Sequence, residues 1–274
     1  MPRSSLKMKK TPDLHEGTLL LALTGWMDGG DVSTGTVKQL MDGRELLDVA
    51  RIDPAGFYID NFPGSMEVTA LFRPHVKYEH GLVSEFEMPS NVVVADEAAN
   101  MAFFVGREPN MNWIGFGDCI FNLCAKLNIK RIIFMGSFGG TVPHTREPRL
   151  FGSVSEKSLL PLLKHFKLAP TEYEGPGSFA TYLLTRAKKH GVGMISIAVE
   201  IPGYLQGPNP LSIEAVTKRL SAMLNLQVDF GRLRKTSTRW ELEVTEAVEK
   251  DAELAETVKK LEEQYDNELI EQPD

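Results

Sequence analysis

The chain has 274 residues, of which 42% are hydrophobic, 24% charged and 8% aromatic, and its formal net charge is −7. These globular values exclude a collagenous, low-complexity or wholly disordered chain. The length allows one large domain or two small ones, with a core that needs no disulfide or metal to fold.

The basic start, residues 1–10, is followed by no apolar h-region, so no signal peptide is expected. Residues 17–24 (GTLLLALT) form a continuous apolar run of strand length, suited to a sheet covered on both faces. GWMDGGD at 25–31 is turn chemistry, with Asp31 placed to cap a helix beginning at Val32. Residues 32–41 read as that helix, with Val37, Leu40 and Met41 on one face and Gly43 to stop it. Residues 46–52 are a second strand. Residues 55–89 differ: they hold Pro63, Pro74 and Pro89, with alternating runs at 67–72 and 83–86. Segments 76–80 and 82–88 meet at Gly81 as a hairpin, which makes residues 55–90 an antiparallel insertion beside the main sheet.

A strand at 91–95 (NVVVA) and a helix at 111–127 come next, then a strand at 131–136 that closes in a glycine-rich loop, 136–140. Helices at 155–166 and 176–190, a strand at 192–201, a Pro/Gly-rich loop at 202–210 and a helix at 211–226 complete the series. Strands alternating with helices predict a mostly parallel sheet covered on both faces. The cysteines, Cys119 and Cys124, lack CxxC spacing and suit two buried thiols in a reducing cytoplasm. No apolar run reaches the roughly 20 residues that cross a bilayer.

The end of the chain changes character. Residues 239–274 hold 4 basic and 13 acidic residues, which leaves the other 238 at +2. The chain is a nearly neutral body with an acidic tail, and the absence of a basic stripe argues against nucleic acid. In the tail Trp240, Val244, Ala247, Asp251, Leu254, Val258, Leu261 and Tyr265 alternate by four and three. That is a heptad seam with Asp251 as a polar break. Two readings stand: a helix laid on its own domain, or an oligomer helix using Trp240, Val244, Leu254, Val258 and Leu261. Fraying is expected over 268–274. The domain plan is an arm at 1–16, an α/β domain at 17–232 and an acidic helical extension at 233–274.

Ligands of parallel α/β sheets bind beyond the carboxyl ends of the strands, which directs attention to three loops. The first carries Trp26, Asp28 and Asp31; it lacks the spacing and lysine of a P-loop, and its acids would repel phosphate. The second, GSFGGTVPHTR at 136–146, carries Gly139, Gly140, His144 and Arg146. His144 is the candidate general acid–base, and Arg146 a candidate clamp for an anion. The third, EIPGYLQGPNP at 200–210, offers Glu200 at a strand end and the Tyr204 hydroxyl. The remaining histidines show no metal-ligand spacing, so no metal and no cofactor are expected.

Together GWMDGGD, GSFGGTVPHTREP and EIPGYLQGPNP resemble, in order and separation, the loop signatures of the proteasome assembly chaperone 2 family. The resemblance covers about residues 17–228. It implies a three-layer α/β/α fold, similar to the phosphorylase/hydrolase-like fold, to which the residue pattern adds the hairpin insertion and a C-terminal amphipathic helix. It implies a non-enzymatic, chaperone-like homo-oligomer of the cytoplasm with a protein partner, and no established catalytic residues. One departure is that the chain ends Leu269-Ile270-Glu271-Gln272-Pro273-Asp274, without the hydrophobic–Tyr–X tail by which archaeal relatives dock on the proteasome. The alternative is a small-molecule-binding protein or a hydrolase- or phosphorylase-like enzyme. Its site would be one pocket of Trp26, Asp28, Asp31, Gly139, Gly140, His144, Arg146, Glu200 and Tyr204.

Overall fold

The computed structural model describes residues 5–271; the last three residues of the tail fall outside this range. The central strands are β1 (Leu6–Met8), β2 (Gly17–Thr24), β3 (Leu47–Ile52), β6 (Val92–Asp96), β7 (Met101–Arg107), β8 (Ile129–Gly140), β9 (Leu150–Val154), β10 (Ala169–Pro170) and β11 (Gly193–Pro202). They form one nine-stranded sheet in the order β1-β3-β6-β7-β2-β8-β11-β9-β10. Its centre, β7-β2-β8-β11, is parallel. Antiparallel pairs flank it on both sides.

The apolar run of β2 has the expected cause. Leu19, Leu21 and Leu23 alternate with Leu20 and Ala22, and both sets are buried. The odd set meets α3 (Trp113–Lys126) and α5 (Phe179–Ala187) through Phe116, Ile120 and Leu183. The even set meets α1 (Val32–Met41) and α6 (Pro210–Leu224) through Val37, Leu40, Val216 and Leu220. The result is the three-layer α/β/α arrangement. Each fully buried leucine contributes about 1.5–3 kcal/mol. Gly35 lets α1 approach α6, since a Cβ there would lie 2.6 Å from Ile213 Cδ1.

Several elements differ from the sequence reading. β7 and β9 stand where the pattern predicts only connections; β7 joins β6 through a short turn that uses the positive φ of Asn100. β1, within the N-terminal arm, pairs with β3 at the sheet edge. The glycine-rich stretch 136–140 is strand, not loop, because it pairs in register with residues 198–202 of β11. The run 67–72 is not extended: α2 (Met66–Ala70) occupies it. The helix expected at 155–166 is a 3₁₀ turn followed by α4 (Leu160–His165).

The insertion holds the hairpin, β4 (His75–Glu79) with β5 (Leu82–Glu87), as a separate two-stranded sheet. Its turn residues, His80 and Gly81, both have positive φ, which the twist of a two-residue hairpin loop requires.

The acidic tail is two helices, not one: α7 (Gly231–Glu249) and α8 (Ala252–Glu271). The polar break makes the division. The Asp251 carboxylate accepts from the N–H groups of Glu253 and Leu254, both at 3.1 Å, and so caps α8. The helix continues to Glu271, so residues 268–271 of the stretch where the sequence predicts fraying are helical, and the rest of that stretch, 272–274, lies outside the described residues. Val258 and Tyr265 are buried within the chain, and Trp240, Val244, Leu254 and Leu261 are half-buried. Cys119 and Cys124 are buried and unpaired, and burial pushes the Cys124 thiol up to about 12.

Candidate functional site

The three loops meet at the carboxyl edge of β2, β8 and β11. The Ser137 N–H donates to Met27 O at 2.8 Å and its hydroxyl to Gly29 O at 2.7 Å, which ties the first loop to β8. The Asn209 N–H donates to Gly30 O at 2.8 Å, and the Gly203 N–H to Gly140 O at 3.0 Å. The backbones converge, but the side chains diverge.

Asp28 turns into α1. Its carboxylate accepts the Thr34 N–H at 3.0 Å and the Thr34 hydroxyl at 2.8 Å. It therefore does the capping expected of Asp31, which is exposed, sits in the left-handed region at φ 54° and makes no side-chain cap bond. Burial raises the Asp28 carboxyl above its ordinary value, the Thr34 bonds oppose this, and the nearby Asp31 charge adds to it. Trp26 stands 58% exposed, with its backbone N–H held by Glu108 Oε2 at 3.3 Å. The other oxygen of Glu108 accepts the first N–H of α5, from Phe179, at 2.8 Å.

Glu200 is 6% exposed and folds over β8. Its Oε1 accepts from Thr141 N at 2.6 Å, Thr141 Oγ1 at 3.2 Å and Val142 N at 3.3 Å. Its Oε2 accepts from Arg149 Nη1 at 3.2 Å. This explains Gly140: a Cβ there would run into the Glu200 carboxylate, so the glycine makes room for the anchor. Gly139 is exposed beside Gly203.

His144 is only 2% exposed. Its backbone N–H donates to the Tyr204 oxygen at 2.8 Å, and its Nδ1 lies 2.6 Å from the same oxygen. Thr245 Oγ1 donates its proton to Glu241 O at 2.8 Å, so it accepts from Nε2–H at 3.2 Å, and the bare Nδ1 accepts from the Tyr204 hydroxyl. Both ring nitrogens are engaged. Burial lowers the His144 pKa below 6.5, against the pull of Glu262 and Glu241. Burial likewise raises the Tyr204 phenol above 10.

Arg146 turns outward to α8. It meets Asp266 through two parallel bonds, Nε to Oδ1 and Nη2 to Oδ2, each 2.8 Å. Hydrogen bonding with Arg146 holds the Asp266 carboxyl low. Thr145 donates to Glu262, Arg149 to Glu268, and the Tyr265 hydroxyl to Glu147 O at 3.1 Å. The Arg149 guanidinium lies 4.5 Å from the Tyr265 ring centre. The acidic helix is thus a clasp on residues 145–149. The sequence reading names Arg146 but misses Arg149, Asp266, Glu262 and Thr245; the matched charges, basic at 146 and 149 and acidic at 262, 266 and 268, are the signal it could have used.

Beside the clasp, a cleft of about 490 Å³ opens between residues 145–150, α6 and α7. Its floor is Glu214, buried and bonded by Lys218, by Arg234 at 3.1 Å and by the Ser237 hydroxyl. Burial acts to raise the Glu214 carboxyl, and these three donors outweigh it and hold it low. Of the nine residues expected to share one pocket, only Arg146 lines this cleft. Among the described residues no group of three His, Cys, Asp or Glu side chains could hold a metal ion. No described helix is long and apolar enough to cross a membrane.

The PAC2 family model matches residues 22–248, a span that holds the three loops and all of the sheet's parallel core except the start of β2. The chain belongs to the PAC2 family. Solved structures extend the likeness beyond the matched span. Rv2714 of Mycobacterium tuberculosis, a protein of unknown function, superposes with a TM-score of 0.83 at 21% identity, over 98% of this chain and 93% of its own. The M. tuberculosis proteasome-assembly chaperone homologue Rv2125 gives 0.74 at 26% identity, over 88% and 99%. The archaeal proteasome activator PbaB of Pyrococcus furiosus gives 0.65 at 18% identity, over 88% and 97%. No curated protein matches the chain. In this PAC2 protein the signature loops are built as interlocking supports: the side chains of Asp28, His144, Arg146, Glu200 and Tyr204 each have a structural partner.

Proposed function

We propose that this PAC2 protein is a non-enzymatic, homo-oligomeric scaffold of the cytoplasm that handles protein partners, in the manner of an assembly chaperone. The observation that carries this reading is the engagement of His144, Glu200, Asp28 and Tyr204. A general acid–base needs a nitrogen or oxygen within reach of substrate. Here both His144 ring nitrogens are bonded to Tyr204 and Thr245, and Glu200 is filled by backbone donors and Arg149. Two relatives at the level of fold, Rv2125 and PbaB, are named for proteasome assembly and activation, which makes proteasome subunits the first partners to try.

The test is direct mixing. The purified chain is combined with proteasome α-subunits from its own organism and followed by sedimentation velocity. A faster-sedimenting complex that contains both proteins is expected. Separate boundaries at tens of micromolar, with the chain itself monomeric, would end the proposal.

A further inference from the structure

Helix α7 begins against the usual order of charge. A helix N-terminus carries positive partial charge, which favours acids and disfavours cations. The first turn of α7 holds no acid, and the helix opens instead with Arg232, Arg234 and Lys235, then Arg239; its first acid is Glu241. From Lys218 to Arg239 there are six basic residues and one acid, Asp229, in a chain whose net charge is −7.

These cations have little to neutralise them. Lys218 and Arg234 share one carboxylate, Glu214. Arg219 donates to a carbonyl, Phe166 O, at 3.0 Å. Arg232 is 81% exposed and 3.8 Å from Asp42. Lys235 and Arg239 are exposed and meet no acid among the described residues. Lys235, Arg239 and Leu242 lie at helical spacings on one face of α7, and Leu242 is also exposed. With Arg234 they line a shallow hollow of about 560 Å³ whose far end carries Glu243 and Glu246. Unpaired cations at the disfavoured end of a helix do not serve the fold, and such local conflicts are expected at functional sites.

We propose that this basic face of α7 is a docking site for a partner protein, and that it receives a short acidic segment: two or three carboxylates followed by an apolar side chain. The proposal rests on the reading that the chain handles protein partners, and it names the chemistry by which one is held. The carboxylates meet Arg234, Lys235 and Arg239, and the apolar side chain meets Leu242. The length of the face favours a peptide over a polyanion. Arg232 to Arg239 spans only about 10 Å of helix. A nucleic acid strand or an anionic membrane would continue past Leu242 onto Glu243, Glu246 and Glu249, which repel it. A peptide segment can turn from acidic to apolar where the helix turns from basic to acidic.

The experiment uses the full chain, its Lys235→Gln/Arg239→Gln variant and, as a control for total charge, a Lys188→Gln/Lys189→Gln variant on the exposed turn after α5. Fluorescence anisotropy follows a fluorescein-labelled peptide of three glutamates and a leucine, its glutamine counterpart and an oligothymidine strand; co-sedimentation follows phosphatidylserine vesicles. The acidic peptide is expected to bind the wild type and the control variant alike. The α7 variant should bind it roughly 10-fold more weakly, the loss of two exposed ion pairs, and keep the wild-type melting temperature. Binding no tighter than that of the glutamine peptide, equal binding by the α7 variant, or preference for oligothymidine or vesicles would overturn the proposal. If the peptide fails while proteasome α-subunits still co-sediment with the chain, the docking site is wrong and the chaperone reading survives. If neither binds, both fall.

Discussion

Glu200→Gln separates a supporting carboxylate from a catalytic one. The side chain keeps its volume and one carbonyl-type acceptor, so Thr141 and Val142 keep a partner. Their bonds lose charge assistance, and an amide N–H₂ replaces the oxygen that faces Arg149 Nη1 at 3.2 Å. A hydrogen bond to a charged group is worth about 1.5–3 kcal/mol against 0.5–1.5 for a neutral one. Arg149 is only one-quarter exposed but retains Glu268, which limits the loss on its side. The expected cost is about 2–3 kcal/mol. At about 2–4 °C per kcal/mol for a chain somewhat smaller than this one, the melting temperature should fall by roughly 4–12 °C. Glu268→Gln is the matched comparison: it removes the other, exposed partner of Arg149 and should cost under ~1 kcal/mol. Thermal unfolding by circular dichroism reads both. An unchanged or raised melting temperature in Glu200→Gln would refute the supporting role, since removing a strained active-site group commonly stabilises a protein.

Two further outcomes are expected of the neighbouring side chains. Because burial holds the His144 pKa below 6.5 in the folded chain, the unfolded chain takes up the proton first as pH falls. Stability should therefore drop as pH falls below 6.5, and His144→Gln should flatten that part of the profile; equal urea midpoints at pH 7.5 and 5.5 would contradict this. Arg146→Ala removes the paired bonds to Asp266, both partners being partly exposed. Global stability should change by less than ~1 kcal/mol, but amide exchange in residues 258–270 should quicken, and added salt should quicken it in the wild type. Unaltered exchange there would remove Arg146 from the clasp.

Much of the fold is legible in residue patterns. The run at 17–24 is apolar throughout because β2 lies at the centre of the sheet with helices on both faces. The helix at 32–41 and the hairpin about Gly81 are explained by their periods and turn chemistry. The elements that do not read from sequence have physical causes. β7 follows β6 after only residues 97–100 (EAAN), which carry no glycine or proline to mark the turn. Gly136–Gly140 looks like a turn, yet its glycines serve close neighbours: Met27 against Gly136 and the Glu200 carboxylate against Gly140. The family signatures are readable as three conspicuous loops. Their purpose is not, because local sequence does not tell whether His144 meets solvent or Thr245, which lies 101 residues later in the chain.

The clasp between α8 and residues 145–149 also sets an order of events during synthesis. The parallel strands are complete once residue 202 has been made, and domains fold from the N-terminal side at ≈ 5–20 residues per second of translation. Arg146 and Arg149 must then wait for Asp266 and Glu268, which follow the last parallel strand by more than sixty residues. For those seconds Arg149 already has Glu200 as a partner, while Arg146 stands uncompensated beside the signature loop. The helix neutralises it only once residue 266 has been made, so a product truncated before α8 would differ in surface charge at this spot.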